Sequence, residues 1–186
     1  MDTVSFTRMD QGTREDYALA GRLYREHTDA HLVDNVLGLL GQMKGPTLGY
    51  KVDRYTHSLQ TATRALRDGA DEETVVCALL HDIGDVIAPD NHSQVAAAVL
   101  RPYVGERNHW IVLHHGIFQG YYYWDKIGLD KNARERFRDS PHYEACARFC
   151  ERWDQTSFDP DYDTLPLEHF APMVDRVFAR PPHDFA

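Results

Sequence analysis

Apolar side chains recur along this chain at intervals of three and four rather than two, so the elements it predicts are helices. Residues 13–27, TREDYALAGRLYREH, set Tyr17, Ala20, Leu23 and Tyr24 at helical spacing behind a Thr13 cap. The next stretch, HLVDNVLGLLGQM, repeats the pattern with Leu32, Val36, Leu39 and Leu40 and reads as a second amphipathic helix. KGPTLG interrupts it, after which DRYTHSLQTATRALRDG places Tyr55, Leu59, Ala62, Ala65 and Leu66 on one face and stops at Gly69. Asp71 caps EETVVCALLHD, which Gly84 is expected to close. APDN is a loop, HSQVAAAVLRPYV is helical up to Pro102, and GERNHWIVLHHGIF forms another helix. Residues Tyr121 to Trp124 make an aromatic cluster in a turn. Ser140 and Pro141 start PHYEACARFCERW, with Ala145, Phe149 and Trp153 at successive fours. The tail combines a proline-rich loop with one short helix. Without alternating strands or repeats, the expected class is all-α, with seven or eight helices.

A length of 186 residues suits one domain with its own core. The net charge of -9, with its 20 Lys and Arg dispersed, argues against a phosphate-backbone surface, so no nucleic-acid partner is expected. No window reaches the about 18 apolar residues of a membrane span, and MDTVSFTRMD lacks the layout of a secretory signal. Cys77, Cys146 and Cys150 contain no Cys-x-x-Cys pair and are too few for a disulfide framework. The expectation is a reduced, cytoplasmic, soluble protein with a small-molecule partner and no membrane partner; its oligomeric state is left open.

Candidate chemistry concentrates in ALLHDIGD, residues 78–85, where an apolar run ends in His81 and Asp82. A buried carboxylate is costly unless it is paired or coordinates a metal. Partners exist elsewhere: His57 lies inside one helix, His92 opens another, His115 ends the one after, and Asp154 follows Trp153 at the end of a later helix. Converging helix ends can gather such side chains from distant stretches, as bundle-type metal sites do. Mixed nitrogen and oxygen ligands suit iron, manganese or zinc, and the lack of thiolates argues against a structural zinc knot. Asp82, adjacent to His81, could bridge two ions.

In this order, His57, His81, Asp82, His92, His115 and Asp154 resemble the six-ligand form of the HD-domain superfamily over about residues 50–175. HSLQTA, ALLHDIGD, NHSQVAAAVLRPYV, HHGIFQGYYYW and FCERWDQTSFDPDYD together are similar to the HD-type mixed-valent di-iron oxygenases, nearest the PhnZ/TmpB-like organophosphonate oxygenases and more distantly myo-inositol oxygenase. The resemblance implies one HD-type domain over 1–186, with N-terminal helices at 13–45 and a di-metal site at converging helix ends. It implies one iron on His57, His81, Asp82 and Asp154, with Asp82 bridging to a second iron on His92 and His115, and no catalytic side chain beyond these ligands. The implied activity is a step of phosphonate catabolism: an Fe2+/Fe3+ pair and O2 cleave the C–P bond of a 1-hydroxy-2-aminoethylphosphonate-type substrate. Metal-dependent phosphohydrolases of small phosphate esters or nucleotides share the scaffold, so fold alone does not decide the chemistry.

Several residues carry two readings. His114 competes with His115, but Gly116 and the following Phe118-Gln119 favour His115 by the same resemblance. His27, His31, His109, His142, His169 and His183 have no motif around them and read as solvated surface. Cys146 and Cys150, one helical turn apart, are either a redox or metal pair or small buried side chains, the commoner case. Tentative substrate contacts are Tyr50, Gln60, Asp85, Gln119, Tyr121 and Tyr123; Asp85 and Gln119 either line a pocket or face solvent. The free-amine phosphonate oxygenases carry a Tyr-x-x-Glu lid and a lysine four positions past the fourth ligand histidine. Here TLGYKVD has Tyr50 without a glutamate, and position 119 is glutamine. A quaternary ammonium suits aromatic faces instead, so the N-trimethyl form, giving glycine betaine and phosphate, is the expected substrate.

Overall fold

Carboxylate caps set the starts of the two helices that carry most of the site. Asp53 accepts from the Thr56 amide at 2.7 Å and Asp71 from the Thr74 amide at 2.8 Å. The computed structural model describes residues 3–183, and among them there are seven α-helices, short 3-10 turns, one π turn and no strand. The helices are α1 (Arg14–Gln42), α2 (Arg54–Arg67), α3 (Glu72–Leu80), α4 (His92–Leu100), α5 (Glu106–Gln119), α6 (Tyr143–Phe149) and α7 (Leu167–Phe178). The all-α class is as expected. No helix among the described residues is long and apolar enough to cross a membrane.

The chain divides into two compact units, one ending at Val36 and one beginning at Leu37. In the first, Asp16 gathers the Ser5 amide at 2.8 Å and the Thr13 amide at 3.0 Å, while the Thr13 hydroxyl accepts from the Asp16 amide at 3.2 Å. This reciprocal cap fulfils the expected Thr13 start. The two expected N-terminal helices are instead one helix of 29 residues. Residues 22–37 contain no glycine or proline to break it, and the Thr28 hydroxyl turns back to the Tyr24 carbonyl at 2.8 Å. The apolar face read there is not a buried one, since Tyr17, Leu23 and Tyr24 are exposed.

In the second unit α3 is the central rod. Val75 to Leu80 are all buried, and α2, α5 and α7 pack around it. Gly69, at φ 78°, lets the chain leave α2 in the left-handed conformation, and the Ala70 amide returns to the Ala65 carbonyl at 3.0 Å. Amphipathic α7 buries Phe170, Val174, Val177 and Phe178, and its Arg176 pairs with Glu72 at the start of α3 at 2.5 Å. The expected helix over 141–153 begins at Tyr143 and changes at Cys150 into a π turn that ends on Asp154. Its buried face is Tyr143, Cys146, Phe149, Cys150 and Trp153, and Ala145 is only half-buried. Widening the last turn brings Asp154 inward alongside Trp153, a use of π geometry seen at functional sites.

Gly84 does not close α3, which ends at Leu80 with His81 as its cap. It sits in the 3-10 turn Ile83–Val86, where a Cβ would collide with the His92 carbonyl and Cα. The bare backbone lets the turn after Asp82 approach the first residue of α4. Gly84→Ala is therefore expected to destabilise the protein by about 1–3 kcal/mol, the usual cost of overpacking, because backbone cannot yield as a side chain can. Chemical denaturation would check it; an unchanged midpoint would contradict the close approach.

Candidate metal centre

Helix geometry delivers each polar side chain to the buried end of this bundle. His57 lies one turn into α2, His81 and Asp82 follow α3, His92 opens α4, His115 lies one turn before the end of α5, and Asp154 closes the π turn. Asp82 stands at the middle, and its two carboxylate oxygens divide the imidazoles. Oδ2 lies 3.3 Å from His57 Nε2 and 3.2 Å from His81 Nε2. Oδ1 lies 3.1 Å from His115 Nε2 and 3.4 Å from His92 Nε2. Asp154 Oδ1 joins the first group, 3.3 Å from His57 Nε2. Two triads of ligand atoms meet the spacing of a metal site: His57, His81 and Asp154, and His81, Asp82 and His115.

The far nitrogens fix the tautomers. His57 Nδ1 faces the Ser157 carbonyl at 3.0 Å, His81 Nδ1 that of Ala78 at 2.8 Å, and His115 Nδ1 that of Val112 at 2.7 Å. A carbonyl can only accept, so each Nδ1 carries the hydrogen and, in the neutral ring, each Nε2 turns a lone pair inward. His57 and His81 then oppose two lone pairs at 3.2 Å. That arrangement is repulsive unless a cation stands between them or one ring takes a proton. Asp154 Oδ2 is buried with no hydrogen-bond partner, as is Gln119 Oε1, although Gln119 Nε2 donates to Asp154 Oδ1 at 2.9 Å. Convergent lone pairs and an orphaned carboxylate oxygen are what a metal ion satisfies, so these residues fit bound metal.

The electrostatics agree. Burial opposes a charged His81, yet Asp82 and Asp154 outweigh it and push its pKa up to about 10. His57 is raised in the same way against its own burial. Burial would lift the Asp82 and Asp154 carboxyls, but Arg54 and His81 for Asp82, and His57 and His81 for Asp154, hold both well below the usual carboxylate range. Both carboxylates are thus held ionised, and they favour positive charge at the position between the imidazoles.

A cavity of about 960 Å³ opens over it, and Asp82, His92, His115 and Asp154 form part of its wall. Of the expected substrate contacts, Tyr50, Asp85, Gln119 and Tyr123 also line it, but Gln60 and Tyr121 do not. Gln60 is buried and bridges the backbone of Asp159, donating to its carbonyl at 2.6 Å. Tyr121 lies under the Arg134 guanidinium, 3.5 Å from its ring centre. His114 also faces elsewhere, stacked on Trp110 at 4.0 Å. Cys146 and Cys150 are buried, with their thiols on the carbonyls of Ile111 and His115. His27, His31, His169 and His183 are exposed, whereas His109 and His142 are half-buried.

Sequence reasoning overlooked two residues. Arg54 sits one turn before His57 and reaches Asp82 Oδ2 at 2.6 Å and Asp85 Oδ2 at 2.8 Å. Its i,i+3 spacing from His57 was the available signal. Phe158 stacks on His57 at 4.5 Å and on Tyr50 at 5.0 Å, making a wall of the cavity.

Two measurements probe the centre. His115→Ala is expected to lower the metal retained per chain while His114→Ala keeps it, read by elemental analysis after desalting; equal loss would contradict the placement of His115. In the metal-free protein a His81 pKa raised from 6.5 to about 10 adds stability that is fully present below about pH 6.5 and lost as pH rises toward 10. Its Tm should therefore fall from pH 7 to 10, and metal loading at pH 7 should release protons, seen as a dependence of the binding heat on buffer.

No curated protein matches the sequence. The HD domain model matches residues 54–157, from the first residue of α2 to the serine whose carbonyl holds His57, and therefore takes in all six candidate ligands. A match over more than half of the chain, laid on a histidine and aspartate cluster able to hold metal, places this protein in the HD domain family.

Proposed function

We propose that the protein is a di-iron oxygenase that cleaves the C–P bond of a small 1-hydroxyphosphonate bearing a quaternary ammonium. The observation that carries this reading is the division of four Nε2 atoms between the two oxygens of Asp82, beside a cavity walled by aromatic rings. When bound, a mixed-valent iron pair supplies the one-electron chemistry with O2 that the side chains lack. His57, His81 and Asp154 would hold the inner ion, His92 and His115 the outer one, and Asp82 both.

The protein's own groups fit such a substrate. Tyr50, Tyr122, Tyr123, Trp124 and Phe158 line the cavity, and an aromatic face turned to a trimethylammonium is worth roughly 0.5 to 2 kcal/mol. Asp85 and Asp90 add negative charge on the same walls. The cavity's Arg and Lys residues are Arg54, already engaged by two carboxylates, and Lys44. That is a sparse provision for a nucleotide polyphosphate and an adequate one for a single phosphonate held beside metal. Gln119 also lines the cavity, and its Oε1 is a buried acceptor without a partner.

Overall, R–CH(OH)–PO3H2 and O2 give R–COOH and H3PO4, which balances with one O2 per phosphate. Iron-loaded protein given the N-trimethyl substrate is expected to consume O2 and release phosphate in equal amounts, recorded with an oxygen electrode and a phosphate assay. Phosphate release that continues unchanged without O2 would instead identify a phosphohydrolase. Tyr123→Ala should reduce kcat/KM for the quaternary substrate roughly tenfold, the equivalent of about 1.4 kcal/mol of cation–π attraction, and affect the free amine less.

A further inference from the structure

His92 is held differently from the other imidazoles. His57, His81 and His115 are buried and anchored on main-chain carbonyls, whereas the His92 side chain is 24% exposed. Its Nδ1 lies 3.1 Å from the Pro89 carbonyl and 3.3 Å from Asp85 Oδ1. Asn91, at the N-cap of α4, makes no side-chain bond to steady the helix start. From Asp85 a chain of charged contacts leads back to the centre. Asp85 Oδ2 takes Arg54 Nε at 2.8 Å, Arg54 Nη2 reaches Asp82 Oδ2 at 2.6 Å, and Asp82 Oδ1 lies 3.4 Å from His92 Nε2. Four side chains thus close a ring: His92, Asp85, Arg54, Asp82.

We propose that Asp85 and Arg54 are positioning residues for the outer metal ion, and that this ring lets the second ion bind. The inference rests on the two-ion reading above. A carboxylate on the far nitrogen orients an imidazole ligand and raises its basicity, and losing such a partner typically costs 10–100-fold in metal affinity. Asp85 supplies this at the one partly exposed imidazole of the candidate ligands, beside the Pro89 carbonyl that meets the same nitrogen. Arg54 suits the other junction because its planar fork meets two carboxylates at once, holding Oδ2 of Asp82 so that Oδ1 faces His92 and His115. Lysine, with one point of charge, cannot span both. The ring meets the inner half only at Asp82 Oδ2, while His57, His81 and Asp154 are held from α2, α3 and the π turn.

The test is metal binding to the full chain, free of turnover. Metal-free protein is titrated anaerobically with Fe2+, and separately with Mn2+, by calorimetry, and the metal kept after desalting is counted. Wild type is expected to take two ions per chain in two steps. Asp85→Asn, close in shape but uncharged, should leave the first step in place, weaken the second about 10–100-fold and retain about one ion. Arg54→Lys should behave alike, and it carries the reading by itself if Asp85→Asn fails to fold. Two ions bound with unchanged affinities in both variants would overturn the proposal while sparing the two-ion reading. Simultaneous loss of both ions would also overturn it, since the ring would then serve the whole centre. One ion in wild type would defeat the two-ion reading itself.

Discussion

Asp82 is a carboxylate with almost no solvent exposure, surrounded by four imidazole nitrogens and one guanidinium. An isolated buried charge of this kind is not tolerated, and its compensation has to come from hydrogen bonds, paired charge or metal. Each major feature of the second unit serves that demand. The apolar run of α3 drives its own C-terminus inward, so whatever follows Leu80 is buried with it. Gly84 then allows the emerging turn to lie directly on the start of α4, bringing His92 across. Arg54, one turn before His57, places a fixed positive charge where a bridging carboxylate would otherwise stand without a permanent counter-ion.

The candidate ligands were legible because each lies at a helix end or on an amphipathic helix whose burial the apolar spacing reveals. Once α2 and α3 are drawn from their caps and stops, His57, His81 and Asp82 must fall at one end of the bundle. Tyr121 and Gln60 were not legible, for local reasons. The tyrosines enter a 3-10 turn, where successive side chains point about a third of a turn apart, so Tyr122 and Tyr123 face the cavity and Tyr121 faces Arg134. Gln60 shares a helix with His57 but is claimed by the backbone of Asp159, about a hundred positions away, a pairing no local pattern carries. The π turn was hidden too, since the sequence pattern of a helix does not show where one turn widens. The single helix α1 was expected as two because its apolar positions fall in two stretches, although residues 22–37 hold no breaker between them.

The centre is built asymmetrically. Its inner half consists of buried groups, His57 and His81 anchored on main-chain carbonyls and Asp154 accepting from Gln119. Its outer half joins the buried His115 to the one partly exposed imidazole, His92, which meets the Pro89 carbonyl and the Asp85 carboxylate on short 3-10 turns that also wall the cavity. Groups near the mouth can respond to what enters, and groups beneath them cannot. Under the proposed function this division is useful, because adjustment at His92 and Asp85 would leave His57, His81 and Asp154 in place.

That division also bears on which chemistry the fold can host. A phosphohydrolase asks its metals mainly to clamp phosphate and activate water, and for that two equivalent, solvent-open ions suffice. Coupling O2 to an organic substrate favours dissimilar ions in a space that excludes bulk water. Around Asp82 the inner set offers His57, His81 and Asp154 and the outer set His92 and His115, with the aromatic rings of Phe158 and then Tyr50 layered over His57. Under the proposed two-ion reading, such unequal sets would leave the outer ion more open toward the cavity than the inner one. The same carboxylate that had to be compensated to be buried also faces its neighbours unequally, one oxygen toward the buried His57 and His81 and the other toward the buried His115 and the partly exposed His92.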